Sequence, residues 1–379
     1  MRATAAHMHE GEGRLSRASR LMDNDTTPYG RRLAELTRAL SDGALPLPPP
    51  CPEPAAADVA HAVMALHASP PHVNNGYTVR TLCLLDALRR AGVECAAVTR
   101  PNFPHDSAAF RGVPRTDADQ AGGHVFHRLH AQAALWEGPL SAYVDAFAIG
   151  LADHARRSGA GVVHAASNHV CGLAACLAAE QVGVRSVYEL RGLWHWSTIN
   201  RRPGWQNSET FALHEALERQ AALRAHRVVV LSDALAQHAR GWGVDPARIV
   251  AVPNGVDADA FAPVPRDEAV RAAWGASPET FVAGFVGTFT PYEGLDTLLQ
   301  AVARLRQRGV DAMAVLVGDG EEADRLKALA GKLGAKAAFP GRVPFAQVPK
   351  ALAAMDCCPF PRRAEGATLL VPPLKLAEA

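Results

Sequence analysis

The sequence predicts an α/β protein built from two doubly wound, Rossmann-like parallel sheets in series. From about residue 57 short apolar strands alternate with helices, the alternation restarts after about residue 263, and Gly-containing turns follow several strands. Alternation of this kind is typical of a parallel sheet covered by helices on both faces. Two such units in series predict a ligand crevice near the carboxyl ends of both sheets.

Composition bounds the class of protein. The chain has 379 residues with 48% hydrophobic and 20% charged residues, which suits about two globular domains. The net charge of +1 provides no overall field for nucleic acid, so no nucleic-acid partner is expected. Seven scattered cysteines without Cys-x-x-Cys spacing fit a reducing compartment. With no signal peptide and no apolar run of about 20 residues, the sequence predicts a cytoplasmic protein, with peripheral membrane association left open.

Residues 1–56 are predicted to form a disordered tail ending in a Pro-rich linker. They are polar and poor in β-branched residues, and the run Leu45–Pro54 favours an extended, polyproline-like conformation. One amphipathic helix is plausible at Tyr29–Leu40. No chemistry is expected from this segment.

The first domain is predicted to span residues 57–262. Its predicted strands are Ala60–His67, Val93–Thr99, His124–Leu129, Gly161–Ala166, Arg185–Leu190, Arg227–Leu231 and Arg248–Pro253. Its predicted helices are Tyr77–Ala91, Val170–Gln181 and Ser208–Ala225. Each pairs a short apolar run with a helical pattern, as βαβ units require.

The second domain is predicted to span residues 263–379, after a candidate hinge at 257–274. Its predicted strands are Thr280–Val286, Ala312–Val317, Ala337–Phe339 and Asp356–Phe360. Its predicted helices are Leu295–Gln307, Glu321–Leu333 and Phe345–Ala354. Because a doubly wound domain usually has more strands than these four, the sequence predicts that this domain is incomplete.

Two segments follow strands of the first domain. Asn75 and Gly76 directly precede the helix predicted to begin at Tyr77. A glycine at a helix start allows close approach of a ligand to the backbone. The alternative is an ordinary turn in which Asn75 caps the helix. The segment Tyr188–Trp196 places Arg191 after the strand, where it could hold phosphate, and Trp residues that could stack on a sugar or base. The alternative there is a buried Arg–Glu pair with Trp packing.

Three glycine-containing segments follow strands of the second domain. Gly287 ends a strand before a helix that begins near Gly294, an arrangement that can receive phosphate. The segment 318–323 matches a dinucleotide fingerprint formally, but its acidic residues would repel a pyrophosphate. The segment 341–344 could pair with a base edge or form a plain turn.

Two Asp-x-Asp pairs, Asp117/Asp119 and Asp257/Asp259, match the pattern of metal-dependent sugar transferases. Neither follows a buried strand as that chemistry requires. Chance or capping is the better explanation, and we predict no metal site.

Taken together and in their order along the chain, these segments resemble the retaining family 4 glycosyltransferases, which have the two-domain GT-B fold. The resemblance runs from about residue 60 to the end of the chain. It is carried by 75–77, 188–192, 231–232, 252–257, 287 with 292–296, 317–320, 339–343 and the Pro-Leu-Lys-x-x-Glu segment 373–378. It implies an acceptor-binding first domain and a nucleotide-sugar-binding second domain.

The resemblance implies specific site residues. The implied catalytic residues are Arg191 and Lys375. The implied donor-binding residues are Gly76, Gly287, Thr288, Glu293, Val343, Leu374 and Glu378, with Gly76 near the phosphates, Val343 near the base and Glu378 on the ribose hydroxyls. The acceptor-side candidates are Asn75, Tyr77, Trp194 and His195.

Departures from the family pattern shape these expectations. Thr288 and Glu293 stand where many members carry a basic pair, so the positive charge for a diphosphate must come from elsewhere. The candidates are Arg191, Arg362, Arg363 and Lys375. Arg191 falls where many relatives have His, and Leu370 replaces the first of two glutamates that contact the donor sugar in the family.

The resemblance therefore implies transfer of a hexose from a nucleotide-diphospho-sugar to a glycan or lipid-linked acceptor, with retention and in surface polysaccharide or glycolipid synthesis. It implies no metal and no cofactor beyond the nucleotide-sugar co-substrate. The alternatives are a truncated, inactive GT-B fragment, since the chain ends just after Glu378, and a GT-B nucleotide-sugar epimerase.

Overall fold

The computed structural model describes residues 2–55, 59–110, 112–132, 135–199, 201–256, 258–259 and 261–378. The chain divides into two compact units, unit 1 (Met1–Pro253) and unit 2 (Asn254–Ala379). The division falls after Pro253, whereas the sequence predicted it after residue 262. Asp257, a member of the second Asp-x-Asp pair, lies outside the described residues.

The sheet of unit 1 has the doubly wound topology that the sequence predicts. Its strands are β1 (His61–Leu66), β2 (Glu94–Thr99), β3 (Ala118–Ala121), β4 (His124–His127), β5 (Val162–Ala166), β6 (Arg185–Leu190), β7 (Arg227–Val230) and β8 (Ile249–Ala251). Their order is β3-β4-β2-β1-β5-β6-β7-β8, and only the β3–β4 pair is antiparallel. The strand order reverses between β1 and β5, where ligands bind in folds of this type.

The helices of unit 1 cover both faces of this sheet. They are α1 (Arg2–Gly11), α2 (Leu15–Leu21), α3 (Pro28–Asp42), α4 (Gly76–Arg90), α5 (Leu140–Ser158), α6 (His169–Val182), α7 (Trp194–Ile199), α8 (Glu209–Arg224) and α9 (Asp233–Gly241). Helix α5 was not predicted, although it buries Tyr143, Phe147 and Leu151 at helical spacing and ends at Gly159 in the left-handed conformation.

The N-terminal segment corrects the prediction of a disordered tail. Helices α1–α3 bury Ala6, Ala18 and Leu33 in one apolar cluster. Thr27 caps α3 by accepting a hydrogen bond from the Gly30 amide. The segment is polar and poor in β-branched residues, which suggested disorder, yet its Ala, Leu and Arg residues are also good helix formers.

The Pro-rich segment that follows is held against α8. The amide and carbonyl of Leu45 both bond to the side chain of Gln220 at 2.9 Å. The carbonyl of Pro48 accepts a bond from Arg224 at 2.8 Å. The extended conformation was predicted, but the segment is anchored to the unit rather than free.

Unit 2 contains a smaller parallel sheet in the order β11-β10-β9. Its strands are β9 (Phe281–Thr288), β10 (Ala312–Asp319) and β11 (Ala337–Gly341), and its helices are α10 (Glu268–Ala273), α11 (Leu295–Gln307), α12 (Ala323–Leu333), α13 (Val348–Ala353) and α14 (Lys375–Glu378). One apolar cluster packs α11 and α12 on one face of the sheet, and a second packs α13 on the other. The α/β prediction is confirmed for both units.

The fourth strand predicted in unit 2, Asp356–Phe360, is wrong. Only a single bridge between Ala283 and Cys357 forms there. Pro359 and Pro361 follow, and proline provides no N–H to extend a ladder.

Over the part of the chain that the structure describes, no helix is both long enough and apolar enough to cross a bilayer.

Candidate functional site

A buried carboxylate organises the carboxyl end of the unit 1 sheet. Glu189, at the end of β6, is 1% exposed and accepts a bond from Arg80 Nε at 2.7 Å and one from Arg191 Nε at 2.9 Å. We call Glu189, Arg80 and Arg191 the Glu189 cluster. Burial raises the pKa of Glu189, but Arg191, with His164 and Arg80, more than offsets this and holds the pKa well below its usual range.

Arg191 is occupied by contacts inside unit 1. Its Nη1 donates to the Tyr77 carbonyl at 2.9 Å and to Thr81 Oγ1 at 2.5 Å, and its guanidinium carbon lies 4.9 Å from the centre of the Tyr77 ring. This is the buried Arg–Glu pair that was the alternative interpretation. Its geometry is that of a residue that positions Tyr77 and α4.

Arg80 completes the cluster and was missed by sequence reasoning. It donates to the carbonyls of Val252 and Pro253 at 3.0 and 3.1 Å, so it ties the chain after β8 to Glu189. No local pattern marks it, because it lies on an amphipathic helix where an arginine is ordinary.

The Asn75–Tyr77 segment is a capped helix start. Asn75 Oδ1 accepts bonds from the amides of Tyr77 and Thr78 at 3.0 and 3.2 Å. The Tyr77 hydroxyl donates to the Ala166 carbonyl at 3.1 Å, and burial raises its pKa. Gly76 is exposed, and apart from its chain neighbours and the backbone of its own helix no described heavy atom lies within 4 Å of the place its Cβ would take, so the backbone there is open to a ligand.

A pocket of about 150 Å³ lies beside α7 in unit 1, and we call it the α7 pocket. It is lined by Asn168, His169, Trp194, His195, Thr198, Trp205, His214 and Glu218. Trp194 and His195 were predicted on the acceptor side, and the structure places both in its wall. The other six were missed. For two of them, Asn168 and His169, a signal was present, because polar residues that follow a buried strand often line a site.

Buried polar contacts fix the wall of the α7 pocket. Glu218 is 1% exposed and accepts bonds from the His169 amide at 3.0 Å and from the Tyr188 hydroxyl. Burial, together with Glu218, raises the pKa of Tyr188 well above its usual range. His195 is held by Glu215, whose Oε2 lies 2.7 Å from His195 Nε2. These side chains form a preorganised wall.

Two polar atoms of the α7 pocket have no hydrogen-bond partner among the residues that the structure describes. They are Asn168 Oδ1, an acceptor, and Trp205 Nε1, a donor, and both are buried. Buried polar groups are normally paired, so two unpaired ones in the wall of one pocket call for an explanation.

In unit 2 the ends of β9 and β10 approach closely. Gly287 pairs with Gly318 in the parallel ladder. A Cβ added to Gly318 would lie 1.9 Å from the Gly287 carbonyl oxygen, and Gly318 has a φ of +134°. The glycines of the formal dinucleotide fingerprint therefore serve close strand packing. Thr288 ends β9 and is exposed.

Glu293 lies between two cations, in what we call the Glu293 cluster: Glu293, Lys375 and Arg362. Glu293 is 3% exposed, its Oε1 accepts a bond from Lys375 Nζ at 2.8 Å, and its Oε2 is 3.7 Å from Arg362 Nε. Lys375 Nζ also lies 4.8 Å from the centre of the Phe285 ring, and its Cε packs against Gly287. Glu293 was predicted to face the donor, but here it holds the two basic residues.

Glu378 and Lys375 line the same cavity, which measures only about 10 Å³. That is about the room of a single water and excludes a ribose in this conformation. Burial raises the pKa of Glu378, and Lys375 acts in the opposite direction. Val343 packs against an apolar cluster, and Leu374 is half-buried beside Lys375.

The first Asp-x-Asp pair takes part in protein contacts. Asp119 Oδ2 lies 2.7 Å from Arg128 Nη2 and 3.1 Å from His72 Nε2, while Asp117 contacts His130. Among the described residues, no group of three His, Cys, Asp or Glu side chains could hold a metal ion.

Two family models match the chain, one on each unit. The "Glycosyl transferase 4-like domain" model matches residues 75–255, and the "Glycosyl transferases group 1" model matches residues 280–379. Together they span about three quarters of the chain. The chain therefore contains a glycosyltransferase 4-like domain in unit 1 and a group 1 glycosyltransferase domain in unit 2, and these matches favour a glycosyltransferase over the epimerase alternative.

Curated relatives include inositol-modifying glycosyltransferases. The D-inositol 3-phosphate glycosyltransferase of Rhodococcus jostii is 28% identical over 271 residues, which are 68% of this chain and 57% of that protein. The phosphatidyl-myo-inositol mannosyltransferase of Mycobacterium tuberculosis is 32% identical over 139 residues, or 35% of each chain. The chain thus spans between about a third and somewhat over half of the length of these relatives.

Solved structures show the same fold. Anabaena HepE in complex with UDP superposes with a TM-score of 0.59 at 16% identity, covering 81% of this chain and 75% of that one. WaaG, a glycosyltransferase involved in lipopolysaccharide biosynthesis, superposes with a TM-score of 0.56 at 17% identity, covering 84% of this chain and 78% of that one. At such identities the likeness shows the fold alone.

Proposed function

We propose that this protein transfers a hexose from a nucleotide-diphospho-sugar to a hydroxyl of a glycan or lipid-linked acceptor, with retention of the anomeric configuration. The two glycosyltransferase domains support this proposal. So do the solved complexes of Anabaena HepE with UDP and with UDP-glucose. Cell-surface polysaccharide or glycolipid synthesis is the proposed setting, in line with relatives named for phosphatidyl-myo-inositol and lipopolysaccharide.

The observation that carries the proposal is the Glu293 cluster. Lys375 and Arg362 bring two positive charges to one buried carboxylate, beside the end of β9 at Gly287. A nucleoside diphosphate leaving group gains negative charge as its bond to the sugar breaks, and preorganised cations stabilise that charge. The cluster keeps a net positive charge even though Glu293 replaces a basic residue of the family pattern.

The proposed reaction exchanges one bond at the anomeric carbon for another. The bond to the phosphate oxygen breaks with oxocarbenium character, the acceptor oxygen bonds to the same face of the anomeric carbon, and the proton of the acceptor hydroxyl passes to the departing diphosphate. Lys375 and Arg362 neutralise the departing diphosphate. Glu378 accepts hydrogen bonds from the ribose hydroxyls in a conformation with a wider cavity beside it. This scheme requires no metal.

In unit 1 we assign the acceptor to the α7 pocket, next to Trp194 and His195. Arg191 is proposed as a positioning residue, since its contacts hold Tyr77 and Glu189 rather than a ligand. Gly76 is proposed to approach the donor phosphates, because its backbone is open.

The proposal is tested by incubating the full chain with a panel of UDP-, GDP- and ADP-sugars and a mixture of candidate acceptors, and measuring released nucleoside diphosphate. We expect turnover to fall at least tenfold in Lys375→Met and in Glu378→Gln. The exposed Lys332, at the end of α12, provides the matched control Lys332→Met, which should keep full turnover.

Unchanged turnover in both site variants would refute the site assignment. Interconversion of the donor without an acceptor would instead favour an epimerase. Failure of the chain to bind any nucleotide sugar would favour the inactive-fragment alternative.

A further inference from the structure

The α7 pocket offers one unused hydrogen-bond acceptor and one unused donor. Asn168 Oδ1 and Trp205 Nε1 are buried, have no partner within the described part of the chain, and belong to the wall of the same pocket. A hydroxyl group both donates and accepts, so a molecule with hydroxyls around a ring can satisfy both atoms at once. A molecule with acceptor oxygens only would leave Asn168 Oδ1 unpaired.

The wall carries aromatic surface as well as polar atoms. Trp194 and Trp205 both line the pocket, and Trp194 is fixed edge-on to His67, with ring centres 4.5 Å apart. Large indole surfaces that also carry a polar N–H suit ligands with apolar faces and polar edges. Sugar and cyclitol rings have that character.

The charges of the α7 pocket disfavour anions. Among the described residues that line it, none is Lys or Arg, whereas Glu218 is an acid that is 1% exposed. Burial lowers the pKa of His214 to about 3, so its imidazole is neutral near pH 7. The guanidinium of Arg202 lies 5.3 Å from the centre of the Trp205 ring but donates to the Gly11 carbonyl and does not line the pocket.

The size of the pocket also limits the ligand. Its volume of about 150 Å³ lies below the roughly 300–1,000 Å³ that is usual for small-molecule pockets. This is room for one small ring rather than for an oligosaccharide.

From these observations we infer that the α7 pocket binds one uncharged, hydroxyl-bearing ring of the acceptor, a cyclitol or a sugar, and discriminates against the same ring carrying a phosphate. The inference rests on the proposed glycosyltransferase function and names the class of its acceptor. It separates this chain from the relative named for D-inositol 3-phosphate.

The test is titration of the full, ¹⁵N-labelled chain with myo-inositol and methyl glucoside, each compared with its monophosphate. The indole N–H signal of Trp205, assigned with Trp205→Phe, should shift on adding the neutral rings. We expect the neutral ring to bind at least tenfold more tightly than its phosphate. Trp205→Phe and Asn168→Ala should each weaken binding of the neutral rings about tenfold, the effect of one lost hydrogen bond.

The matched control is Trp136→Phe, because Trp136 is 49% exposed and lies outside the pocket. It should bind the neutral rings as the unaltered chain does. Tighter binding of the phosphorylated ring, or no response of the Trp205 signal to either neutral ring, would overturn the inference.

Nucleotide-sugar binding measured on the same sample separates the two proposals. A chain that binds a nucleotide sugar but neither neutral ring refutes the pocket assignment alone. A chain that binds neither class of ligand refutes the proposed function as well.

Discussion

The Glu189 cluster of unit 1 and the Glu293 cluster of unit 2 both combine one carboxylate with two basic side chains, but their geometry differs. Each contains a carboxylate at most 3% exposed and two basic side chains. Both oxygens of Glu189 accept close bonds, at 2.7 and 2.9 Å. Within the described ranges, one oxygen of Glu293 accepts such a bond. Its other oxygen lies 3.7 Å from Arg362 Nε, and neither of these two atoms has a hydrogen-bond partner there.

The difference indicates that the first cluster maintains the fold and the second is available for ligand binding. The arginines of the Glu189 cluster also bond to backbone carbonyls of α4 and of the chain after β8. Lys375, by contrast, is bonded to Glu293 alone among the described residues and packs on Phe285. A cation with few fixed partners can turn toward a phosphate at low cost.

The largest expected effect is on stability, from Glu189→Gln. The change leaves Arg80 and Arg191 near a neutral amide in a buried site, and breaking a buried pair in this way costs about 3 kcal/mol or more. Urea denaturation of the full chain measures it. A loss below about 1 kcal/mol would mean that the Glu189 cluster does not maintain the fold.

The next largest effect is a pH dependence of the unfolding free energy that comes from the burial of His214 in unit 1. Burial lowers the pKa of His214 to about 3, whereas the unfolded value is about 6.5. Between these values the unfolded state binds more protons, so stability falls as pH falls, by up to about 1.4 kcal/mol per pH unit. His214→Gln should flatten the slope of unfolding free energy between about pH 6 and pH 4.

The control for that pH dependence is His130→Gln, because His130 is exposed and contacts only Asp117 among the described residues. Its slope should match that of the unaltered chain. An unchanged slope in His214→Gln would show that this histidine is not buried and neutral in solution.

The smallest expected effect on stability is that of Glu293→Gln. Lys375 and Arg362 are both partly exposed, so water compensates them when the carboxylate charge is removed, and the cost should be about 1 kcal/mol. Affinity for a nucleotide-diphospho-sugar should rise about threefold, because Lys375 loses its counter-charge. Calorimetric titration checks it, and a destabilisation equal to that of Glu189→Gln would remove the contrast between the clusters.

The fold could be predicted where local patterns were unambiguous. The bounds of β6 (Arg185–Leu190) and of α11 (Leu295–Gln307) match the prediction to the residue, because each has a clear apolar periodicity and a clear end. Helix α3 (Pro28–Asp42) contains the helix predicted at Tyr29–Leu40, whereas α1 and α2 were missed, because their burial depends on packing against neighbouring helices, which composition does not reveal.

Only part of the candidate sites could be predicted from the sequence. The glycine turn at Gly287 and the Lys375–Glu378 segment could be identified by motif. The bond between Glu293 and Lys375 joins residues 82 positions apart, so no local pattern could show that one neutralises the other. The α7 pocket likewise combines Asn168, Trp205 and His214 from separate elements.

The most direct test of the account is the affinity of a nucleotide-diphospho-sugar for Lys375→Met compared with that for Arg191→Met, with unfolding free energies measured on the same proteins. We predict that Lys375→Met loses affinity at least tenfold and loses less stability than Arg191→Met, because Arg362 Nε still lies 3.7 Å from Glu293 Oε2. Arg191→Met should lose about 3 kcal/mol of stability, because Glu189 is left with one fewer partner. Full affinity in Lys375→Met would contradict the account.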